Sequence, residues 1–138
     1  MSYTTAQAAR LAGCSASQLR YWARTDLVTP SDDDGYTFRD LVTLRVVQSL
    51  LESGLSTTRV RIALLALREI GDDDLPSLRL VTDGKRVWAC YDDGQIIDAL
   101  RHGQLALFVA VDRVVDEVAI GTRAFETERA AFVDELLG

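Results

Sequence analysis

The sequence predicts an α+β protein with helices gathered at the front and strands behind them, and three observations carry that prediction. Apolar residues recur at helical spacing through the first 70 positions. A glycine, an aspartate run and a proline, Gly71 to Pro76, then break the pattern. Beyond the break, short apolar runs bounded by Asp-Gly turns take over. The chain therefore divides into a helical N-terminal domain, 1–71, and a small β-rich C-terminal domain with a terminal helix, 76–138.

The helices justify themselves in order. Thr4-Thr5-Ala6-Gln7 is a capping box, a hydroxyl followed three residues on by Gln, and it opens a helix carrying Ala8, Leu11 and Ala12 to its stop at Gly13. Ser15-Ala16-Ser17-Gln18 is a second box only a few residues later. Two short capped helices joined by a tight glycine turn are a helix-turn-helix pattern, in which the first helix braces the second. On the second, Leu19, Trp22 and Ala23 form a buried stripe, while Ser17, Arg20, Tyr21 and Arg24 share the opposite face. Hydroxyl, phenol and guanidinium donors on one face suit phosphates and base edges.

Two extended pieces, Leu27 to Pro30 and Tyr36 to Phe38, flank the polar loop Ser31 to Gly35 and read as a β-ribbon, a wing after the helix-turn-helix. Arg39 to Ser53 follows as a helix with Leu41, Leu44, Val47 and Leu51 inward, ended by Gly54. Ser56 caps a fourth helix carrying Val60, Ala63, Leu64 and Leu67. Past the break, Leu78–Val81 and Val87–Tyr91 read as a hairpin about Asp83-Gly84. Ile96 to Leu100 suits either a strand or a short helix, and Leu105 to Val111 reads as a buried strand. A last helix near Glu126 to Leu137 places Phe132, Val133, Leu136 and Leu137 on one side.

Composition narrows the function. Of the 138 residues 48% are hydrophobic, enough for a packed core. No apolar run is long enough to span a membrane, and the polar start does not resemble a signal peptide, so no membrane partner and a cytoplasmic location are expected. Cys14 and Cys90 lie far apart without CxxC spacing and read as free thiols. The net charge of −6 argues at first against nucleic acid. The acidity is uneven, however. Residues 1–70 hold 8 Arg against 7 carboxylates, and residues 71–138 hold 7 Lys and Arg against 14. A basic surface must then come from arginines clustered on one face.

With these elements in place, the first half resembles the DNA-binding domain of the MerR family. The resemblance rests on Tyr3-Thr4, Ala8 through Gly13, Leu19-Arg20-Tyr21-Trp22, Gly35-Tyr36, Asp40-Leu41 with Leu44-Arg45, and Gly54-Leu55-Ser56. It covers about half the chain and implies a winged helix-turn-helix of four helices plus a β-wing. Arg20 and Tyr21 fall on the family's Arg-Tyr pair, and Tyr36 on its wing tyrosine; both are implied contacts to DNA backbone. Helical geometry adds Ser17, Gln18 and Arg24, with Gln18 suited either to adenine or to capping its own helix. Thr4, Ser15 and Arg39 complete the candidate DNA contacts; Arg39 stands in for an Arg often found after the wing Gly-Tyr, where this chain has Thr37, or caps the third helix.

The chain departs from the family elsewhere. Asp32, Asp33 and Asp34 occupy the wing tip, where a solvated turn is their simplest role. The Asp run and Pro76 interrupt the long helix by which familiar members pair, and no heptad pattern resumes. Their cysteine-based metal site has no counterpart, so no metal or other cofactor is expected. His102 reads as a surface histidine; Asp92, Asp93 and Asp98 could be set around a metal, but Asp92-Asp93-Gly94 is simply good turn chemistry. No Ser/His/Asp set, phosphate-cradling loop or Cys/His cluster assembles, and no enzyme is expected.

The expected function is a transcriptional regulator binding a short palindromic operator in double-stranded DNA as a homodimer through residues 76–138. A rival is the antitoxin of a toxin–antitoxin pair, its acidic second half neutralising a basic toxin. Another is a ligand sensor with an apolar pocket around Trp88 and Phe108.

Overall fold

The computed structural model describes residues 2–82, 87–92, 94–95, 107–109 and 111–137. The chain opens with α1 (Thr5–Ala12) and α2 (Ala16–Arg24), each started by a complete capping box. Between them Gly13 adopts φ +72°, a left-handed conformation that costs glycine least. A loop leads into α3 (Phe38–Glu52), and Ser56 caps α4 (Thr57–Arg68). A single 3₁₀ turn at Leu75–Ser77 then precedes β1 (Arg79–Thr82) and β2 (Val87–Cys90). β3 (Leu107–Val109) and α5 (Val111–Leu137) complete the described elements. The sheet is antiparallel with order β2-β1-β3, and Leu80 stands opposite Ala89 on one side and Val109 on the other. The Asp83-Gly84 turn, Ile96–Leu100 and His102 lie outside the described residues.

The core is built around α3. Leu41, Leu44, Val46, Val47 and Leu50 are fully buried, and Val42 nearly so, which leaves α3 apolar on most of its circumference. A helix of that kind needs cover on several sides. α1 and α2 supply Ala8, Leu19 and Trp22, and α4 supplies Val60, Leu64 and Leu67. Leu75, Leu78 and Leu80 pack into the same cluster, with Val114 and Val118 of α5.

Two elements differ from the sequence expectation. The last helix begins at Val111 rather than near Glu126 and runs 27 residues, so a long helix does follow, displaced beyond the hairpin. Its first half lies against α3: Val114, Val118 and Thr122 are buried, and Arg45 pairs with Glu117. The ring of Phe125 meets that of Tyr3 edge-on at 5.9 Å, and Arg10 reaches Glu128 at 3.3 Å. Packing holds α5 more than these ion pairs, since an exposed pair contributes only ~0–1 kcal/mol.

The wing is the second difference. No two-stranded ribbon forms between Leu27–Pro30 and Tyr36–Phe38. Leu27 and Val28 are instead buried at the exit of α2, where their N–H groups donate to Trp22 O at 2.9 and 3.4 Å. The loop is closed by one bridge between Asp32 and Gly35, and Tyr36 pairs across to Tyr3 with both N–H···O distances at 2.8 Å. Gly35, at φ +143°, allows that approach; a Cβ there would lie 2.2 Å from Tyr3 O. Phe38 starts α3 because Thr37 and Asp40 form its capping box.

Asp40 ties loop and helix together. Its buried carboxylate accepts the Ser31 N–H at 2.8 Å, the Thr37 N–H at 2.9 Å and the Ser31 hydroxyl. Asp40→Ala leaves all these donors without their acceptor, and we expect a loss of ~2–4 kcal/mol in urea unfolding. Asp33→Ala, at an exposed position, should change stability by ~0.5 kcal/mol or less. Equal small effects from both would contradict the assigned role of Asp40.

Candidate nucleic-acid interface

The outward face of α2 is set by what lies beneath it. Leu19 is fully buried and Trp22 nearly so, which turns Ser17, Arg20, Tyr21 and Arg24 to solvent. Tyr21 is 57% exposed, a large amount for an aromatic ring. Ser15 accepts the Gln18 N–H at 3.0 Å, and Gln18 Oε1 accepts the Ser15 N–H at the same distance. Of the two uses open to Gln18, the structure shows the cap. Thr4 and Gln7 repeat the arrangement at the start of α1, with Thr4 exposed.

The arginines of the first half divide sharply by partner. Arg10 and Arg45 pair with Glu128 and Glu117 of α5. Arg39 donates to Leu67 O at 2.9 Å, to Ile70 O at 2.7 Å and to Asp72, binding the start of α3 to the end of α4. Arg61 donates to Thr25 O at 2.6 Å and Asp26 O at 3.2 Å, and Arg59 is also engaged. Among the described residues, the side chains of Arg20, Arg24 and Arg68 make no hydrogen bond or ion pair. Two of those three share the exposed face of α2, which concentrates positive charge there despite the acidic whole.

Tyr36 and Arg39 are placed differently from the sequence expectation. The Tyr36 ring is 2% exposed, and burial first, then the Asp40 carboxylate, raise its pKa above that of an ordinary phenol. Its hydroxyl is therefore not offered at the surface, and Arg39 is occupied with carbonyls and Asp72. The wing aspartates Asp32, Asp33 and Asp34 are exposed. The hydroxyl of Ser2 donates to Asp32, and this bond holds its carboxyl below the usual range.

Sequence reasoning missed Arg61 and the anchoring role of Asp40. The Asp40 bond to Thr37 carries a capping-box signal, Thr-x-x-Asp, but its bonds to Ser31 span nine residues and carry none. Arg61 binds carbonyls 35 and 36 residues away, and backbone acceptors leave no mark in side-chain chemistry.

The remaining candidates for chemistry are few. No group of three or more His, Cys, Asp or Glu side chains able to hold a metal occurs among the described residues. Trp88 packs partly buried against Val81 and Cys90, and the Phe108 side chain lies outside those described. No described helix is long and apolar enough to cross a membrane.

A glycine turn joining two capped helices, the second with an uncommitted basic face over a buried stripe, defines a helix-turn-helix protein. Residues 3–67 match the family model described as MerR HTH family regulatory protein, which makes this segment a MerR-type helix-turn-helix domain. It is also 34% identical over 138 residues to a Mycobacterium bovis protein named an uncharacterized HTH-type transcriptional regulator. Likewise named proteins from two strains of Mycobacterium tuberculosis match equally. These alignments take in 94% of this chain and 61% of each relative's length.

Cys14, in the turn between α1 and α2, supplies a chemical probe of this packing. Burial pushes its thiol up to about 11; Arg45 opposes the shift and Glu52 adds to it. Its thiolate is then about a hundredfold scarcer at pH 8 than that of an ordinary cysteine. Peptide-level mass spectrometry should find iodoacetamide labelling of Cys14 slow at pH 8 and rising steeply towards pH 11. The neutral thiol is the form the fold favours, so its share of stability is complete below pH 9 and is lost as pH climbs through about 11. Rapid labelling at pH 8 would show that the turn is open.

Proposed function

We propose that the chain is a sequence-specific DNA-binding transcriptional regulator that grips a short palindromic operator as a homodimer. The observation that carries this reading is the outward face of α2, where Arg20 and Arg24 have no partner among the described residues and flank an exposed Tyr21. A braced helix with such a face enters a major groove, the guanidiniums neutralising phosphates or reaching guanine edges. Ser17 lies on the same face, and Thr4 and Ser15 add hydroxyls at the N-termini of α1 and α2, where backbone N–H groups favour anions. Tyr36 and Arg39 then act through the fold rather than as contacts. The family and the regulator names of the relatives support the same reading.

The exposed end of α5 supports dimerisation within residues 76–138. Phe132, Leu136 and Leu137 are 60%, 70% and 83% exposed, and Val133 is partly so. An apolar stripe of this kind on a bare helix is covered in a stable protein by another surface. A second copy is the covering that also doubles the phosphate contacts and the bases read. The antitoxin reading finds no support in the family or in the relatives' names, and Glu117 and Glu128 of the acidic half are already paired within the chain.

Selection from a pool of random duplexes tests the proposal. A retained set with two-fold symmetry supports it, and retention of no duplex overturns it. Arg20→Ala should weaken binding to all duplexes alike and reduce the slope of log affinity against log salt by about one per protomer. A loss confined to one base position would instead make Arg20 a base reader. The double substitution Phe132→Asp with Leu136→Asp should yield monomers in light scattering and weaken the two-fold site at least about tenfold. A dimer that survives both changes would place the interface elsewhere.

A further inference from the structure

The exit of α2 is held by an unusual set of bonds. Thr25 closes the helix itself: its hydroxyl donates to Tyr21 O at 3.0 Å and to Trp22 O at 3.3 Å. Asp26 then turns the chain at φ +58°, the one positive φ at a described residue other than glycine. Asp tolerates that region better than a branched or bulky residue does. The carbonyls of Thr25 and Asp26 lie past the helix ladder and need donors from elsewhere. Arg61 of α4 supplies both, with Nη2 to Thr25 O at 2.6 Å and Nη1 to Asp26 O at 3.2 Å. One planar guanidinium therefore spans the end of the helix and the first residue beyond it.

α4 is a fixed base for such a clamp. Val60, Leu64 and Leu67 are buried in the core, and Arg39 grips Leu67 O and Ile70 O at its far end. On the α2 side, the clamp lies immediately after Arg24. Any movement of Thr25 and Asp26 shifts Arg24, then Tyr21 a turn earlier, relative to the Ser31–Gly35 loop. Lys cannot substitute fully, because an ammonium lacks the rigid fork that engages two carbonyls together.

We propose that Arg61 is a positioning residue for DNA recognition, setting the placement of α2 against the wing loop without touching DNA itself. The proposal rests on the DNA-reading face described above. Its loss degrades discrimination between sequences and leaves the number of neutralised phosphates unchanged.

The test compares wild type, Arg61→Ala and Arg61→Lys by three readouts. Amide exchange of the free protein should quicken at Leu27 and Val28 in Arg61→Ala, with Ala8 in α1 unaffected. Affinity for the duplex enriched from the random pool should fall about tenfold, comparable to losing one base contact. Binding to poly(dI-dC) should change less than about twofold, with the salt slope unaltered. Arg61→Lys should recover part of the lost discrimination.

Equal losses on both DNAs, with the slope reduced by about one per protomer, would make Arg61 a phosphate contact and overturn the proposal. A lowered melting temperature with unchanged discrimination would reduce it to a structural residue and overturn it as well. A wild-type protein that binds neither DNA overturns the DNA reading and the positioning role together, while the exchange data then still report whether Arg61 holds the turn.

Discussion

Everything in this fold depends on the need to surround α3. Val42, Leu44, Val46, Val47 and Leu50 leave it almost no polar side, and each exposed Leu or Val would forgo ~1.5–3 kcal/mol of burial. α1, α4 and the 3₁₀ turn at Leu75 cover it in part, and the first half of α5 completes the covering. The lengths then decide the shape of the rest. At ~1.5 Å per residue α3 is about 22 Å long and α5 about 40 Å, so α5 outruns the helix it covers. Its surplus turns carry apolar residues, Phe132, Leu136 and Leu137, that stay largely exposed.

The same core sets α2. Leu19 and Trp22 anchor α2 from below, the two capping boxes set where α1 and α2 begin, and Gly13 sets the turn between them. Electrostatics follows from packing rather than from composition. Salt bridges and carbonyl contacts engage Arg10, Arg39, Arg45 and Arg61 within the chain and leave Arg20 and Arg24 uncommitted, so a first half with almost no net charge still presents a cationic face. Whole-chain charge is a poor guide to such a surface, because screening limits each patch to a Debye length of ~8–10 Å.

Local signals in the sequence were legible and long-range ones were not. The caps at Thr4, Ser15 and Ser56 each lie within three residues of their partners, and the helices they start were found from sequence alone. The β-ribbon at the wing was expected from two extended pieces around a polar, glycine-ended loop, but Leu27 and Val28 turn inward to the core and Tyr36 pairs with the Tyr3 backbone. The strand expected within Leu105 to Val111 is present as β3, Leu107–Val109, but the helix that starts at Val111 directly after it was missed. The Val114, Val118, Thr122 and Phe125 stripe is too polar at its centre to announce a helix. Arg39 and Arg61 were beyond reach for a different reason: carbonyl acceptors more than twenty-five residues away have no residue type to betray them.

The central claim is that the outward face of α2 meets DNA. It is tested most directly by mapping side-chain and amide resonances while a duplex from the enriched pool is added. The account predicts shifts concentrated on Ser17, Arg20, Tyr21 and Arg24, with Leu19 and Trp22 moving little and the last turns of α5 unaffected by DNA. Shifts gathered instead on α4 or on the end of α5, with α2 silent, would contradict it.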